Sequence, residues 1–237
     1  MQATQKVGGI AALAAAATNL LGLVVFLTLL APKGIGDTDA SPSKIVALYA
    51  DNEAAMRAWY LIIYLGFGAC VILLVLALQQ RLKARSSAMA SVVTTFGLIY
   101  AVLVLVIGTL SITNLSTLVD LHDANPVGAA TVYSALTSVE TGLGAGGGET
   151  LTLALWLLLL SLAAQQVQAL PKFLNYLGEF LGVAGVLSVV LNSLVLMSVD
   201  GLGLIAWFVW LGITLLRSDT ASTMETEGLR GAPVAAR

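Results

Sequence analysis

Few side chains in this 237-residue chain can do chemistry, and they are scattered along it. His122 is the single histidine and stands between Asp120 and Asp123. An imidazole flanked by carboxylates can hold a divalent metal if further acids, such as Glu140, converge on it. Structural zinc sites normally need four good ligands, so a solvated or helix-capping role for the trio is the competing reading. Glu149 and Glu179 lie in or beside long apolar runs. A carboxylate inside a membrane is a functional site by default. Both residues fall close to the ends of their runs, however, where a carboxylate reaches headgroups or water and serves as an anchor. Asn19 and Asn192 fall deeper, and with Thr94, Thr95, Tyr100 and Ser188 they could line a polar path.

Other chemistries lack their residues. With one histidine in a loop beside acids, there is no nucleophile–base–orienter set. HExxH is absent, as are paired aspartates within an apolar run, and the last run has no lysine for a Schiff base. The glycines of residues 142–148 are not a phosphate loop, because no Gly-Lys-Ser/Thr follows them. Cys70 is the only cysteine, so no intramolecular disulfide can form. A net charge of −2 offers no basic surface to nucleic acid. We expect no catalytic residues and no cofactor.

The elements that must position these groups follow from composition. Hydrophobic residues make up 58% of the chain and charged residues 10%, and mean hydropathy is +0.94. Water-soluble domains carry about 25% charge, so this chain suits lipid. A helix crosses the hydrocarbon with about 20 apolar residues. Residues 7–30, 58–78, 88–112, 149–164, 176–197 and 202–216 meet or approach that length without the alternation of barrel strands. The first run exceeds a signal-peptide core of about 7–15 residues, so it reads as an uncleaved span, although residues 11–17 are small enough to supply a cleavage site. The expected fold is all-α, a polytopic membrane helical bundle of six transmembrane helices plus a short extracytoplasmic helix. The bundle covers residues 1–217, and 218–237 form a disordered cytoplasmic tail.

Lysine and arginine placement gives the sidedness. Lys6, Arg81, Lys83, Arg85, Lys172 and Arg217 fall on one side, and only Lys33, Lys44 and Arg57 on the other. Both termini are therefore expected in the cytoplasm of a cell with this protein in its inner membrane. The outer side carries two long loops. Within 42–56, apolar residues at Ile45, Leu48 and Met56 predict a short interfacial helix. Within the loop 114–148, Val132, Leu136, Val139 and Leu143 predict a helix on the bilayer surface or packed on the bundle.

Small residues mark packing faces. Gly178, Gly182 and Gly185 share one face with Asn192, and Gly8, Ala12 and Ala15 share one with Asn19. Such stripes let helix backbones approach closely, so the two runs could pack on each other or on similar neighbours. Trp59, Tyr60 and Tyr64, like Phe173 and Tyr176, read as interfacial belts. Trp156, Trp207 and Trp210 sit deeper and read as packing.

Leu170-Pro171-Lys172-Phe173-Leu174 leads into Leu177-Gly178 and Leu181-Gly182-Val183-Ala184-Gly185, and Gly147-Gly148-Glu149-Thr150-Leu151 stands upstream. This arrangement resembles the C-terminal half of a bacterial polytopic membrane family known only as a domain of unknown function, numbered 4386, with Lys172 where that pattern usually has arginine. The resemblance implies architecture and no activity. Three functions stay open on the sequence. One is a non-catalytic accessory or envelope component, with lipid and other membrane subunits or further copies as partners. Another is a transporter or channel using Asn19 and Asn192. The third is a membrane sensor or metal-binding protein using the His122 loop.

Overall fold

A computed structural model describes residues 2–37, 39–83 and 86–230, with side chains placed through residue 217 apart from Gln2 and Leu194. Among the described residues there is no β-strand, and six helical segments are long and apolar enough to cross a membrane. The protein is a multi-pass membrane helical bundle.

The chain enters as α1 (Gln2–Val25), which continues through a π-helical turn, Phe26–Leu30, and a 3₁₀ turn, Ala31–Lys33. Gly34 ends it in the left-handed region at φ 93°. Helix α2 (Pro42–Asp51) starts on Ser41, whose hydroxyl accepts from the Lys44 N–H, with Pro42 at the first helical position. Helix α3 (Glu53–Tyr60), the π-helical segment Leu61–Gly66 and α4 (Phe67–Lys83) form the second span without a break. Helix α5 (Ser87–Ala124) has 38 residues, about 57 Å at 1.5 Å per residue and nearly twice the hydrocarbon thickness. Helix α6 (Pro126–Leu143) folds back along it, α7 (Gly148–Gln166) and α8 (Lys172–Leu191) cross in turn, and α9 (Leu194–Arg230) is last, its apolar part being Val195–Arg217. The expected tail begins at residue 218, where side chains are not described, and 231–237 lie outside the described residues.

The six spans close into a ring, α1 on α4, α4 on α5, α5 on α7, α7 on α8, α8 on α9, and α9 back on α1. One end of the ring carries the start of α1 and the turns after α4 and α7; we call it the terminal end. The other carries α2, α3, the far half of α5, and α6; we call it the capped end. The cap is held by α2 against α5 and α6, with Val46, Leu118 and Ala129 fully or nearly fully buried between them.

Three expectations need correcting. Residues 114–124 are not loop. They continue α5, because α6 covers Asn114 and Leu118 while Leu115 packs on Leu30, Met56 and Tyr60. The helices expected within 42–56 and 114–148 are present as α2 and α6. The fifth span stops at Leu191 and not at residue 197, since Asn192 turns left-handed at φ 46°, ψ 48° and caps it. The glycine stripes of the first and fifth spans do not meet. Gly8 lies against Ala77 and Leu215, whereas Gly178, Gly182 and Gly185 lie against Ser161, Leu158 and Ala154 of α7.

The glycines of 142–148 make the corner between α6 and α7. Gly146 has φ 90°, and a Cβ on Gly147 would run into the carbonyls of Thr141 and Gly142. Their number there reflects backbone geometry.

Close approach at Gly182 generates a test. A Cβ there would stand 2.8 Å from the Ala154 carbonyl oxygen, which a helix cannot move aside, whereas Gly142 has open space. Gly182→Ala should lower stability in detergent by about 1–3 kcal/mol through overpacking. Gly142→Ala should leave the melting temperature unchanged or slightly raised. Comparable loss in both variants would show that the glycines act through chain flexibility and not through contact.

Candidate functional site

Inside the ring, toward the capped end, is a cavity of about 420 Å³. Five of the six spans line it. Asn19, Gly22, Leu23 and Phe26 come from the first, and Trp59, Ile63, Tyr64 and Phe67 from the second. Tyr100 comes from α5, Glu149, Thr150 and Leu153 from α7, and Met197, Asp200 and Leu204 from α9. Its volume falls within the roughly 300–1,000 Å³ of small-molecule sites, which are mostly apolar with a few placed polar groups.

Both π-helical segments open onto this cavity, through Phe26 on one side and Ile63 and Tyr64 on the other. Inserted π-turns shift the side-chain register of a helix and recur at functional sites. Here the second brings Ile63 against Gly22, and one turn above it the Trp59 indole donates to the Gly22 carbonyl at 2.9 Å. Phe26 stacks on Trp59 at 5.8 Å, and Trp59 and Tyr60 stand 5.5 Å apart. Of the residues expected as interfacial belts, Trp59, Tyr60 and Tyr64 therefore turn inward, while Phe173 and Tyr176 are exposed. Tyr60 is buried and Trp59 half-buried, because the register change rotates them toward the first span.

Two acidic residues, Asp200 and Glu149, border the same space. Asp200 is 6% exposed, and its Oδ1 is buried with no hydrogen-bond partner among the described residues. Glu149 sits in the first turn of α7, where the helix dipole favours a negative charge. The described ion pairs, Lys44–Asp37 and Arg57–Glu53, belong to the cap and involve neither residue. The Tyr100 ring lies within electrostatic reach of both carboxylates. Asp200 lies against α8 at Gly185, where a Cβ would make ordinary contact with Oδ2 at 3.6 Å.

The cavity floor is a packed aromatic cluster. Phe67 and Tyr100 meet edge-on at 6.3 Å, Tyr100 stacks on Trp156 at 6.1 Å, Trp156 meets Trp207 at 6.1 Å and Trp207 meets Phe208 at 5.3 Å. Trp156, Trp207 and Phe208 are at most 1% exposed, so the centre of the ring is filled. Packing fits the sequence reading for Trp156 and Trp207, while Trp210, 40% exposed, faces outward.

The remaining candidates are placed as follows. Asn19 lines the cavity, and its amide donates to the Ala15 carbonyl at 3.1 Å. Asn192 is exposed at the end of α8, so it does not share a midplane path with Asn19. Thr94 and Ser188 are buried, but their hydroxyls donate to Ala90 and Gly185 within their own helices. Thr95 is exposed and does the same to Ser91. Only Tyr100 and Asn19 of that path reach the cavity. Glu179 accepts from Gln165 Nε2 at 2.6 Å near the terminal end and bridges α7 and α8. His122 lies in the last turn of α5, and among the described residues no three His, Cys, Asp or Glu side chains gather for a metal. Arg81, expected to be a solvated topology marker, belongs to α4 and donates to the Ala169 carbonyl at 2.8 Å and to Gln5 Oε1 at 3.2 Å.

A separate polar knot holds the cap together. Asn114 donates to Glu140 Oε1 at 2.7 Å, joining α5 to α6, and Tyr49 meets Tyr133 edge-on at 6.0 Å, joining α2 to α6. Burial, with Tyr133 adding to it, pushes the Tyr49 hydroxyl well above its ordinary range, so it stays neutral.

Asp200 and its partnerless oxygen are what the sequence reading missed. A break assumed between residues 197 and 202 placed Asp200 in a loop. Its isolation among apolar residues 194–216 was the available signal. No protein-family model, curated protein or solved structure matches the chain.

A buried carboxylate with an unpaired oxygen weakens the fold by about 1–3 kcal/mol. Asp200→Leu should therefore keep or raise the melting temperature in detergent, as expected of a residue retained for something other than stability. A clear fall would mean that Asp200 holds the bundle together through a contact the cavity does not explain.

Proposed function

We propose that this protein is a non-catalytic multi-pass membrane protein that binds a small molecule in the capped-end cavity, with that end facing outside and both termini in the cytoplasm. One observation carries the reading. A cleft within the ring is bordered by Asp200, whose buried Oδ1 has no hydrogen-bond partner among the described residues, at the junction of five spans. A bundle built only to scaffold other subunits would fill that space or pair the charge, because unpaired buried polar groups destabilise. Sidedness rests on the lysines and arginines clustered at the terminal end.

Transport is the second reading. It is supported by the contact between α1 and α9 below the cavity, where Gly9 and Gly212 approach so closely that a Cβ on either would stand about 3 Å from the other's carbonyl oxygen. Two smooth helix faces can rock on each other there. Passage would require the Trp156–Trp207 cluster to part.

Gly201 borders the cavity, and a Cβ on it meets nothing within 4 Å. In a Cys70→Ala background, Gly201→Cys should react with a membrane-impermeant maleimide added outside intact cells. Ser161→Cys, on buried Ser161 of α7, should not. Labelling only from the cytoplasmic side would reverse the topology. Reaction only with a lipophilic maleimide would make the cavity lipid-filled and favour an accessory role.

A further inference from the structure

We infer that the cavity takes an alkylammonium cation with an apolar or aromatic body, its charge balanced by Asp200 and Glu149 and its body framed by Phe26, Trp59 and Tyr64. This deepens the proposed function and rests on it.

Charge decides the class first. The cavity lining has two carboxylates and no lysine, arginine or histidine. An anion would find no positive partner there, and with a neutral molecule the carboxylates would have to take up protons or stay uncompensated in an apolar space, whereas a cation meets their charge directly. Asp200 supplies an independent sign of a missing partner, since it is nine-tenths buried and its Oδ1 has none among the described residues.

Ring placement narrows the cation. A bare divalent ion wants six or more hard oxygens, and no cluster of three acids or histidines forms here. Rings dominate the rim instead, with Phe26 and Trp59 stacked at 5.8 Å, Tyr64 beside them, and the Phe67–Tyr100 pair beneath at 6.3 Å. Aromatic faces attract alkylammonium groups and cover their attached carbon. The space of about 420 Å³ exceeds a single metal ion and suits a molecule of modest size.

The approach has the same sign. The capped end holds Asp37, Asp39, Asp51, Glu53, Asp120, Asp123 and Glu140 against Lys33, Lys44 and Arg57. Such an excess of one charge raises the local concentration of the opposite ion. An ammonium group can come from a free solute or from a lipid headgroup, and the chemistry recognised is the same.

The test uses the full chain in detergent, titrated calorimetrically with 3-(trimethylammonio)phenol, its uncharged carbon isostere 3-tert-butylphenol, and 3-hydroxybenzenesulfonate. The cation should bind saturably, and the isostere at least about tenfold more weakly. Asp200→Asn and Glu149→Gln should each weaken the cation by about tenfold or more and leave the isostere unchanged. Each variant must elute as wild type does on size exclusion; if one fails, the other carries the comparison. Competition by short-chain phosphatidylethanolamine but not phosphatidylglycerol assigns the ammonium to a lipid headgroup, and competition by neither assigns it to a free solute. Cation and isostere binding within about twofold would overturn the ammonium assignment yet keep a small-molecule cavity. Preference for the sulfonate, or no saturable cation binding, would overturn it as well. The cavity reading itself falls only if Gly201→Cys is also unreactive toward the impermeant maleimide from both sides of the membrane.

Discussion

A peptide group in hydrocarbon has no water to pair with, and that constraint shapes everything else in this protein. It makes every lipid-facing segment a helix. It also confines irregular backbone to places that other protein covers. The π-helical segments Phe26–Leu30 and Leu61–Gly66 turn Phe26, Ile63 and Tyr64 toward the centre of the ring, while Leu27, Leu29 and Leu61 face outward. The glycine corner between α6 and α7 lies against Ile107 and Met197. Asn192, which breaks α8, does so after 20 residues, when the helix has covered about 30 Å.

Within that constraint the two halves of the ring are built differently. Toward the terminal end, glycines and alanines bring backbones together, and Trp156, Trp207 and Phe208 fill the axis. Lipid gives helices no hydrophobic reason to associate, so dense packing and interhelical hydrogen bonds must do the work. Arg81 adds to it by reaching the α7–α8 turn and the first helix. Toward the capped end the packing opens around Asp200 and Glu149, and cohesion moves outward to the cap, where Asn114–Glu140 and Tyr49–Tyr133 tie α2, α5 and α6 together. A space bordered by an unpaired carboxylate weakens a fold, and the cap and the aromatic floor give the bundle stability around it.

The six spans were legible in the sequence because a run of apolar residues reports directly on its solvent. Their ends were not. Hydropathy cannot see that Asn192 takes a left-handed conformation or that α9 starts at residue 194, and those two facts place Asp200 inside a span. Nor can it see that α6 covers one side of α5, which turns residues 114–124 from loop into helix. Of the residues singled out for chemistry, Glu149 and Asn19 do border the cavity, while Asn192, Glu179 and His122 lie elsewhere. The small-residue faces were readable as close contacts but not as pairings, because Gly178 and Gly182 fit any neighbour with a matching surface.

By itself, then, the sequence determined the solvent, the helical backbone, the number of crossings and the asymmetry of charge, all properties that each segment carries alone. The ring order, the inward rotation of Trp59 and Tyr60, the filled axis and the meeting of Asp200 with Glu149 around one space were decided only in three dimensions. They depend on which helix face meets which, and residues about fifty positions apart on α7 and α9 become neighbours only when both helices have packed.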